Sequence, residues 1–400
     1  MYKRKLENVD IGSIVVSQLQ ERHIKRITVK ESPKIGAEAP MPLLQQAAVV
    51  TSFEDEIVVS DQILVPQRLD DYEILVRNKY TGLNHVDWKS KKYHFNIHSF
   101  PWVNGRESSG IVVRRGAKVY KEKFPIGAKV FLASTCYREL KRSTFQEFTL
   151  FDSRLVWRLP CEMCSDGVSR KKFGLDFAAG VGVALVTAGS ALSSFVDFQN
   201  VGKANEIREK SLIIWGGSSS VGIFTIQLAR NLGIFKNIIA VSSLKYEHYL
   251  KELGATAVVD RTLAPGELIQ TVKDICPTGI DCGVDVISRK TAELLLEVLN
   301  DGMETRKVLV CLSGTPGENA RAKHPDTEVE PVGIKKFHED LVFGENFVKF
   351  TSDLFEKGQL CPVPSVRVFK GFGTFGVGLK NGLAELEERD ASAEKFVVRL

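Results

Sequence analysis

The stretch "SLIIWGGSSSVGIFTIQLAR", residues 211–230, decides how the chain reads. A short apolar run breaks into Gly216-Gly217-Ser218-Ser219-Ser220-Val221-Gly222, and an amphipathic pattern begins there and runs to Gly233. Strand, tight glycine turn and helix N-terminus are the parts of a phosphate cradle. The turn brings backbone close to the ligand, and the helix end presents N–H groups and a positive dipole to an anion. Written as G-x-G-x-x-G, the loop runs from Gly217 to Gly222 with Ser219 at the middle glycine. Serine keeps the backbone N–H and adds a hydroxyl that can donate to a phosphate oxygen. A Walker loop is excluded, because no Gly-Lys-Ser/Thr follows. The competing reading is a purely structural strand-to-helix turn. The alternation that follows the loop argues against it.

After the loop, "NIIAVSS" reads as a strand, "KYEHYLKELG" as a helix closed by Gly254, and "AVVD" as a strand. "GVDVIS", "TAELLLEVL" and "RKVLVCLS" continue the alternation as strand, helix and strand. Strands and helices at this spacing predict a parallel sheet with right-handed crossovers. The texture before it is different. From Gln45 to about Pro160 the chain carries short Val-, Ile- and Phe-rich runs broken by Gly, Pro or Asp, which predict a compact barrel or rolled sheet. The end, residues 363–400, returns to strand, amphipathic helix and strand, and its last strand is expected to pair back into the first domain.

The second strand of the alternating region selects the nucleotide. NAD sites place Asp or Glu at its tip to bind the ribose hydroxyls. Here the tip is Ser242-Ser243, followed by Lys245 and Tyr246, with Arg261 just beyond the third strand. Two hydroxyls and cations suit a 2′-phosphate that a carboxylate would repel, so NADPH is the expected cofactor. Leu312, closing "RKVLVCLS", completes the candidate cofactor contacts.

Composition bounds the rest. Four hundred residues predict two domains. A net charge of +5 with no long basic run points away from nucleic acid. Seven scattered cysteines suggest a reducing compartment rather than a disulfide framework. The weakly polar stretch 177–192 is short and rich in Gly and Ala, so it reads as a buried helix and not a membrane span. Residues 1–40 carry eight Lys/Arg and five Asp/Glu. Mitochondrial presequences are poor in acids, and a poorly ordered extension is the expectation, with the folded body starting near Met41-Pro42. A cytoplasmic location is expected; peripheral membrane or mitochondrial association stays open, as does homodimer formation.

"YTGLNHVDWK", "VNGRESSGIVVRRGAKV", "FPIGAKVF", the glycine loop, "YLKELGATAVVD" and the terminal "SAEKFVVRL" together resemble the medium-chain dehydrogenase/reductase superfamily. Within it the chain looks like the quinone oxidoreductase-like branch, closest to fungal zinc-type alcohol-dehydrogenase-like proteins and trans-acting enoyl reductases. The resemblance covers about Gln45 to Leu400. It implies an α/β fold: a Rossmann doubly wound parallel sheet, residues 176–344, plus a GroES-like β-barrel catalytic domain built from 41–175 and 345–400. The active site would lie in the cleft between them.

Zinc members of the superfamily bind metal through a Cys and through the His of a Gly-His-Glu. This chain has Asn84 in the first lobe and Gly105-Arg106-Glu107 for the second. A guanidinium cannot ligate a cation. The four close cysteines of a structural zinc lobe are absent, and only Cys161-Glu162-Met163-Cys164 remains. His94 and His98, four apart, would share a helix face near His85, without the Glu of an H-E-x-x-H motif. No metal is expected. The remaining chemistry is hydride delivery to a polarised acceptor, an α,β-unsaturated carbonyl or a quinone, whose developing oxyanion needs donors or a proton. The resemblance puts Asn84 and Asp87 near the nicotinamide and Thr187 near its carboxamide. Asn84 orients substrate or cofactor, or only caps a turn. Tyr93 lies roughly where some enoyl thioester reductases carry a proton donor, and packing is its alternative. Arg106 would pair with Glu107 or Asp87 in place of a metal, or stabilise an oxyanion. Lys395 of the closing motif is expected near the cleft, without an assigned role. Residues 94–103 and 343–350 are expected as cleft-lining loops. Two functions follow: an NADPH-dependent reductase of small conjugated acceptors, or a non-catalytic NADPH-binding adaptor using its N-terminal extension.

Overall fold

The computed structural model describes residues 41–134, 138–159, 173–198, 210–300, 306–370, 375–389 and 391–400. Two large sheets divide the chain by hydrogen-bond direction. The strands are β1 (Leu44–Val50), β2 (Val58–Leu64), β3 (Glu73–Gly82), β4 (Trp102–Val103), β5 (Glu107–Arg115), β6 (Lys129–Ala133), β7 (Phe148–Asp152) and β8 (Val156–Arg158) in the first part of the chain. The alternating part supplies β9 (Lys210–Trp215), β10 (Phe235–Ser242), β11 (Ala257–Asp260), β12 (Cys282–Asp285), β13 (Lys307–Cys311) and β14 (Thr327–Pro331). The C-terminal part adds β15 (Ser365–Phe369) and β16 (Glu394–Arg399).

The alternating region forms one parallel sheet in the order β11-β10-β9-β12-β13-β14. Its central strands are apolar on both faces: Ile213, Ile239, Val241 and Leu309 face one core, and Leu212, Ile214, Val284 and Val310 the other. Helices cover both faces, which is why these strands read as continuous hydrophobic runs rather than alternating ones. The outer strand β14, "TEVEP", gave no sequence signal. Its half-exposed, charged residues carry the pattern of an edge strand.

The first part of the chain folds with the last. β16 pairs antiparallel with β3, which pairs with β5 and β7; β6 and β8 extend the sheet on one side, and β15 lies parallel to β16 on the other. The return of the C-terminus is therefore a sheet register, Val398 opposite Thr81. A small sheet, β2-β1-β4, packs its apolar side with Phe375, Leu379 and Leu383 of the helix Phe375–Glu388.

The weakly polar stretch becomes a short turn, Leu175–Ala178, and then the helix Gly182–Leu192, which is buried on nearly every side. Residues 343–350, expected as a cleft loop, lie instead inside the helix Leu341–Glu356. Phe343 and Phe347 stack there (5.8 Å between ring centroids), and Phe347 also meets the ring of Trp157 edge-on. The phenylalanines of this stretch are core packing. No helix among the described residues is long and apolar enough to cross a membrane. Cys276, Cys282 and Cys311 carry free thiols.

Candidate active site and dinucleotide cradle

Asn84 follows β3 and opens the helix His85–Lys92. Its backbone N–H donates to Asp87 Oδ2 (2.9 Å), and the Asp87 N–H donates to the Asn84 carbonyl (2.9 Å). The capping is done by Asn84's main chain and Asp87's side chain, so the Asn84 amide is available elsewhere. Its Nδ2 donates to Glu107 Oε1 (2.9 Å), and its Oδ1 accepts from Lys395 Nζ (2.7 Å). Lys395 Nζ also lies 2.8 Å from Glu107 Oε1. The other Glu107 oxygen accepts from the Val183 N–H (2.8 Å) in the first turn of the helix Gly182–Leu192, where the helix dipole favours an anion. Beside this triad, Arg106 Nη1 donates to Asp87 Oδ1 at 2.9 Å.

Both ion pairs are out of water: side-chain exposure is 7% for Arg106, 8% for Lys395 and 0% for Asp87 and Glu107. Two carboxylates and two cations thus form a neutral buried set. Desolvation makes any one of them costly without its partner. Burial pushes the Asp87 carboxyl above the ordinary carboxylate range, with the Arg106 guanidinium and the Asn84 N–H opposing it. Small residues admit the set. A Cβ on Gly82 would lie 2.5 Å from Glu107 Oε1, and one on Gly180 would lie 2.3 Å from Lys395 Cγ.

These are the positions where the resemblance expects metal ligands, and the donor set does not fit a metal. Arg106 is a cation already paired with Asp87, and the Asn84 carbonyl oxygen faces an ammonium. Among the described residues no group of three His, Cys, Asp or Glu is arranged to hold an ion. Cys161 and Cys164 lie outside the described residues. The helix that would have aligned His94 with His98 ends at Lys92; Tyr93 caps it, and His94 turns into the left-handed region at φ 53°. His94 stacks on Phe53 instead, with ring centroids 4.1 Å apart.

Two other candidate residues are not brought into the set. Tyr93 is 60% exposed and leans on Trp88, with ring centroids 6.2 Å apart. Thr187 is buried, and its hydroxyl donates to the Val183 carbonyl one turn back (2.7 Å). Lys395 was left without a role by the sequence reasoning, and Glu107 entered it only as an alternative partner for Arg106. Their signal was only their place in recognisable motifs, because their partners are remote in the chain.

The glycine loop has the shape its sequence predicts. Gly216 sits at φ 92°, a conformation that favours glycine. A Cβ on Gly222 would lie 2.2 Å from the Gly216 carbonyl oxygen, and one on Gly217 would lie 2.8 Å from Ala240 Cβ. The cradle therefore needs these glycines for close approach of helix and strand. Ser219 caps the helix Ser220–Leu232, its Oγ accepting from the Gly222 N–H (3.0 Å) and keeping its own proton to donate. Val221 lies in the first turn, and the Ser218 carbonyl accepts from the Ala393 N–H at 2.8 Å.

At the tip of β10, Ser242 is buried and its hydroxyl has no hydrogen-bond partner among the described residues. Ser243 opens a short 3-10 turn, Leu244–Tyr246. Lys245 is exposed, its ammonium 4.7 Å from the centroid of the Tyr246 ring, and the Tyr246 hydroxyl donates to the Ser392 carbonyl (3.1 Å). Arg261 is exposed and donates its backbone N–H to the Ser242 carbonyl (3.0 Å), which brings its main chain to the tip. Leu312, 38% exposed, follows β13. The glycine turn and the helix N-terminus behind it fit a dinucleotide.

One buried group was not anticipated. Asp285 ends β12, and its Oδ1 accepts from the N–H groups of Ile287 and Ser288 (3.0 Å each), while Oδ2 has no partner among the described residues. Burial pushes its carboxyl up to about 6, against the pull of Thr291 and those two N–H groups. The turn it holds touches the cradle: a Cβ on Gly216 would meet Val286 Cγ2 and Ile287 Cδ1.

Comparison with known proteins agrees with this geometry. Residues 70–167 match the alcohol dehydrogenase GroES-like domain, and residues 220–323 match the zinc-binding dehydrogenase domain. A trans-enoyl reductase from Talaromyces variabilis is 26% identical over 376 residues, covering 86% of this chain and 93% of that protein. An alcohol dehydrogenase superfamily protein from Novosphingobium aromaticivorans superposes with a TM-score of 0.69 at 18% identity, over 89% of this chain and 99% of that one. A mycobacterial protein solved in complex with NADPH has a TM-score of 0.64 at 18% identity, over 89% of this chain and 100% of that one. With a GroES-like domain matched first, a dehydrogenase domain second and a glycine cradle at the end of the first strand of a parallel sheet, the chain belongs to the medium-chain dehydrogenase/reductase superfamily of oxidoreductases.

Proposed function

We propose that this protein is an NADPH-dependent, zinc-independent reductase of conjugated carbonyls (enals, enones or enoyl thioesters) or quinones. One observation carries the reading: at the two positions of the expected metal ligands stand Asn84, bonded to Glu107 and Lys395, and Arg106, paired with buried Asp87. NADPH bound in the cradle would supply a hydride to an electron-poor carbon. The chain's own contribution is placement. The catalytic lobe, residues 41–175 and 345–400, presents Asn84 half-exposed beside the dinucleotide lobe, residues 176–344. Glu107 takes one Asn84 amide N–H, and the second is the donor for the acceptor's oxygen as negative charge develops there. Asp87 fixes the Asn84 backbone, and Arg106 holds Asp87. Ser242, Ser243, Lys245 and Arg261 support NADPH over NADH, since no carboxylate ends β10, Lys245 follows it and the Arg261 main chain reaches it. The relative from Talaromyces variabilis, named a trans-enoyl reductase, supports the acceptor class.

A second reading, an NADPH-binding adaptor without turnover, draws on the placement of Tyr93, which leaves the charged set without the proton donor suggested for it. The deciding experiment is NADPH consumption by the full-length protein across quinones, enals, enones, enoyl thioesters and simple aldehydes. Turnover of conjugated acceptors but not simple aldehydes supports the reductase. No turnover with NADPH tightly bound in a parallel titration supports the adaptor. Zinc-dependent aldehyde reduction would overturn both.

A further inference from the structure

Residues 392–395 touch three parts of the molecule within four positions. The Ser392 carbonyl accepts from the Tyr246 hydroxyl at the nucleotide-selecting edge (3.1 Å). The Ala393 N–H donates to the Ser218 carbonyl in the glycine loop (2.8 Å). Lys395 Nζ donates to Asn84 Oδ1 (2.7 Å) and pairs with Glu107 Oε1 (2.8 Å). Ala393 holds φ 54°, a left-handed conformation that is strained for a side-chain-bearing residue and persists only where surrounding contacts determine it. The Lys395 stem is confined too, because it crosses the face of Gly180 where a Cβ would lie 2.3 Å from its Cγ. From Glu394 on, the chain is locked into β16, between β15 and β3.

A segment this short, with at most about 3.3–3.6 Å of reach per residue, has little slack between its anchors. A phosphate drawing the N–H groups of the glycine loop toward itself orients the peptide planes of that loop, and the Ser218 carbonyl that holds Ala393 belongs to one of them. We propose that residues 392–395 form a coupling strap that transmits dinucleotide occupancy of the glycine loop to the placement of Asn84, with Lys395 as the positioning residue. The proposal rests on the dinucleotide part of the function proposed above. By linkage the effect is reciprocal: whatever fixes Asn84 also tightens the dinucleotide.

Amide hydrogen exchange of the full-length protein, with and without NADPH, tests the strap. In the wild type NADPH protects residues 216–222 and slows exchange about 5-fold or more at the Asn84, Asp87 and Val183 amides, as expected for a coupling of ordinary size. In Lys395→Met the protection of 216–222 persists, and the response at Asn84, Asp87 and Val183 disappears. Lys395→Arg restores part of it. Gly180→Ala keeps every charge and displaces only the Lys395 stem, so it gives the same loss if Lys395→Met does not fold. A merely structural lysine would instead lower protection with and without NADPH alike and leave the response intact. The strap is overturned by wild-type protection confined to 216–222, by a remote response that persists in both variants, or by absence of NADPH binding, which also removes the proposed cofactor. Remote protection in a protein that reduces no acceptor sustains the strap and removes only the reductase reading.

Discussion

The glycine cradle and the charged set beside Asn84 are built by opposite means. The cradle is a backbone device: one positive-φ glycine, two glycines at close approach and one serine cap, all within seven consecutive residues. The charged set draws Asn84 and Asp87 from a helix start, Arg106 and Glu107 from the start of β5, Val183 from a second helix and Lys395 from the last strand. It is held by side-chain charge in a dry interior. The two also treat buried charge differently. Every carboxylate of the set has a cation, whereas Asp285, beside the cradle, has only uncharged donors, the N–H groups of Ile287 and Ser288 and the Thr291 side chain, and one oxygen without a partner among the described residues. The lesson is that a local backbone device tolerates a lone acid nearby, while a distributed one needs charge balance.

The largest expected effect breaks that balance. Arg106→Met leaves Asp87 buried without its cation and costs about 3–5 kcal/mol, read by denaturant unfolding. Asp87→Leu combined with Arg106→Met should recover much of the loss. If the single variant is as stable as the wild type, the pair is not the buried support described.

Asp285 sharpens the contrast through pH. Its native carboxyl sits at about 6 against an ordinary 3.8, so between those values the folded state holds a proton that the unfolded state has released. Stability therefore falls as pH rises through that window, by about 3 kcal/mol at most. Asp285→Asn should remove that slope from stability curves measured between pH 3.5 and 7, as expected on the scale of about two to three pH units. A slope that survives assigns the titration to another group.

In the cradle, Gly217→Val drives side-chain atoms toward Ala240 and closes the backbone approach. Dinucleotide affinity should fall about 100-fold, roughly 2.7 kcal/mol, in a fluorescence titration. Lys245→Ala should weaken NADPH about tenfold and NADH hardly at all; an equal loss for both would remove the 2′-phosphate assignment. The smallest effect is that of Tyr93→Phe. An exposed ring on Trp88, away from the charged set, predicts an unchanged turnover rate, and a large loss would return Tyr93 to the chemistry.

What could be read in the chain before folding follows this same divide. The parallel sheet, the glycine turn, the caps at Gly233 and Gly254 and the bare tip of β10 were legible, since each depends on neighbours within one turn or one strand. Strand β14 was not, because an edge strand with charged, half-exposed residues has no hydrophobic period. The helix through 343–350 was not read, although Phe343 and Phe347, four apart, share one helix face; that face is recognisable as core only from its packing on Trp157. The histidines at 94 and 98 looked paired by spacing, and a helix end at Lys92 undid the spacing.

By itself, then, the sequence determined the superfamily's architecture, the cradle and the replacement of metal-ligand residue types by Asn84 and Arg106. Only the tertiary structure decided that Arg106 takes Asp87 and not Glu107, that Glu107 takes Lys395, and that Asn84 joins the latter pair. Backbone conformation is a property of adjacent residues, whereas the pairing of buried charges is settled by which side chains are left together once water is excluded.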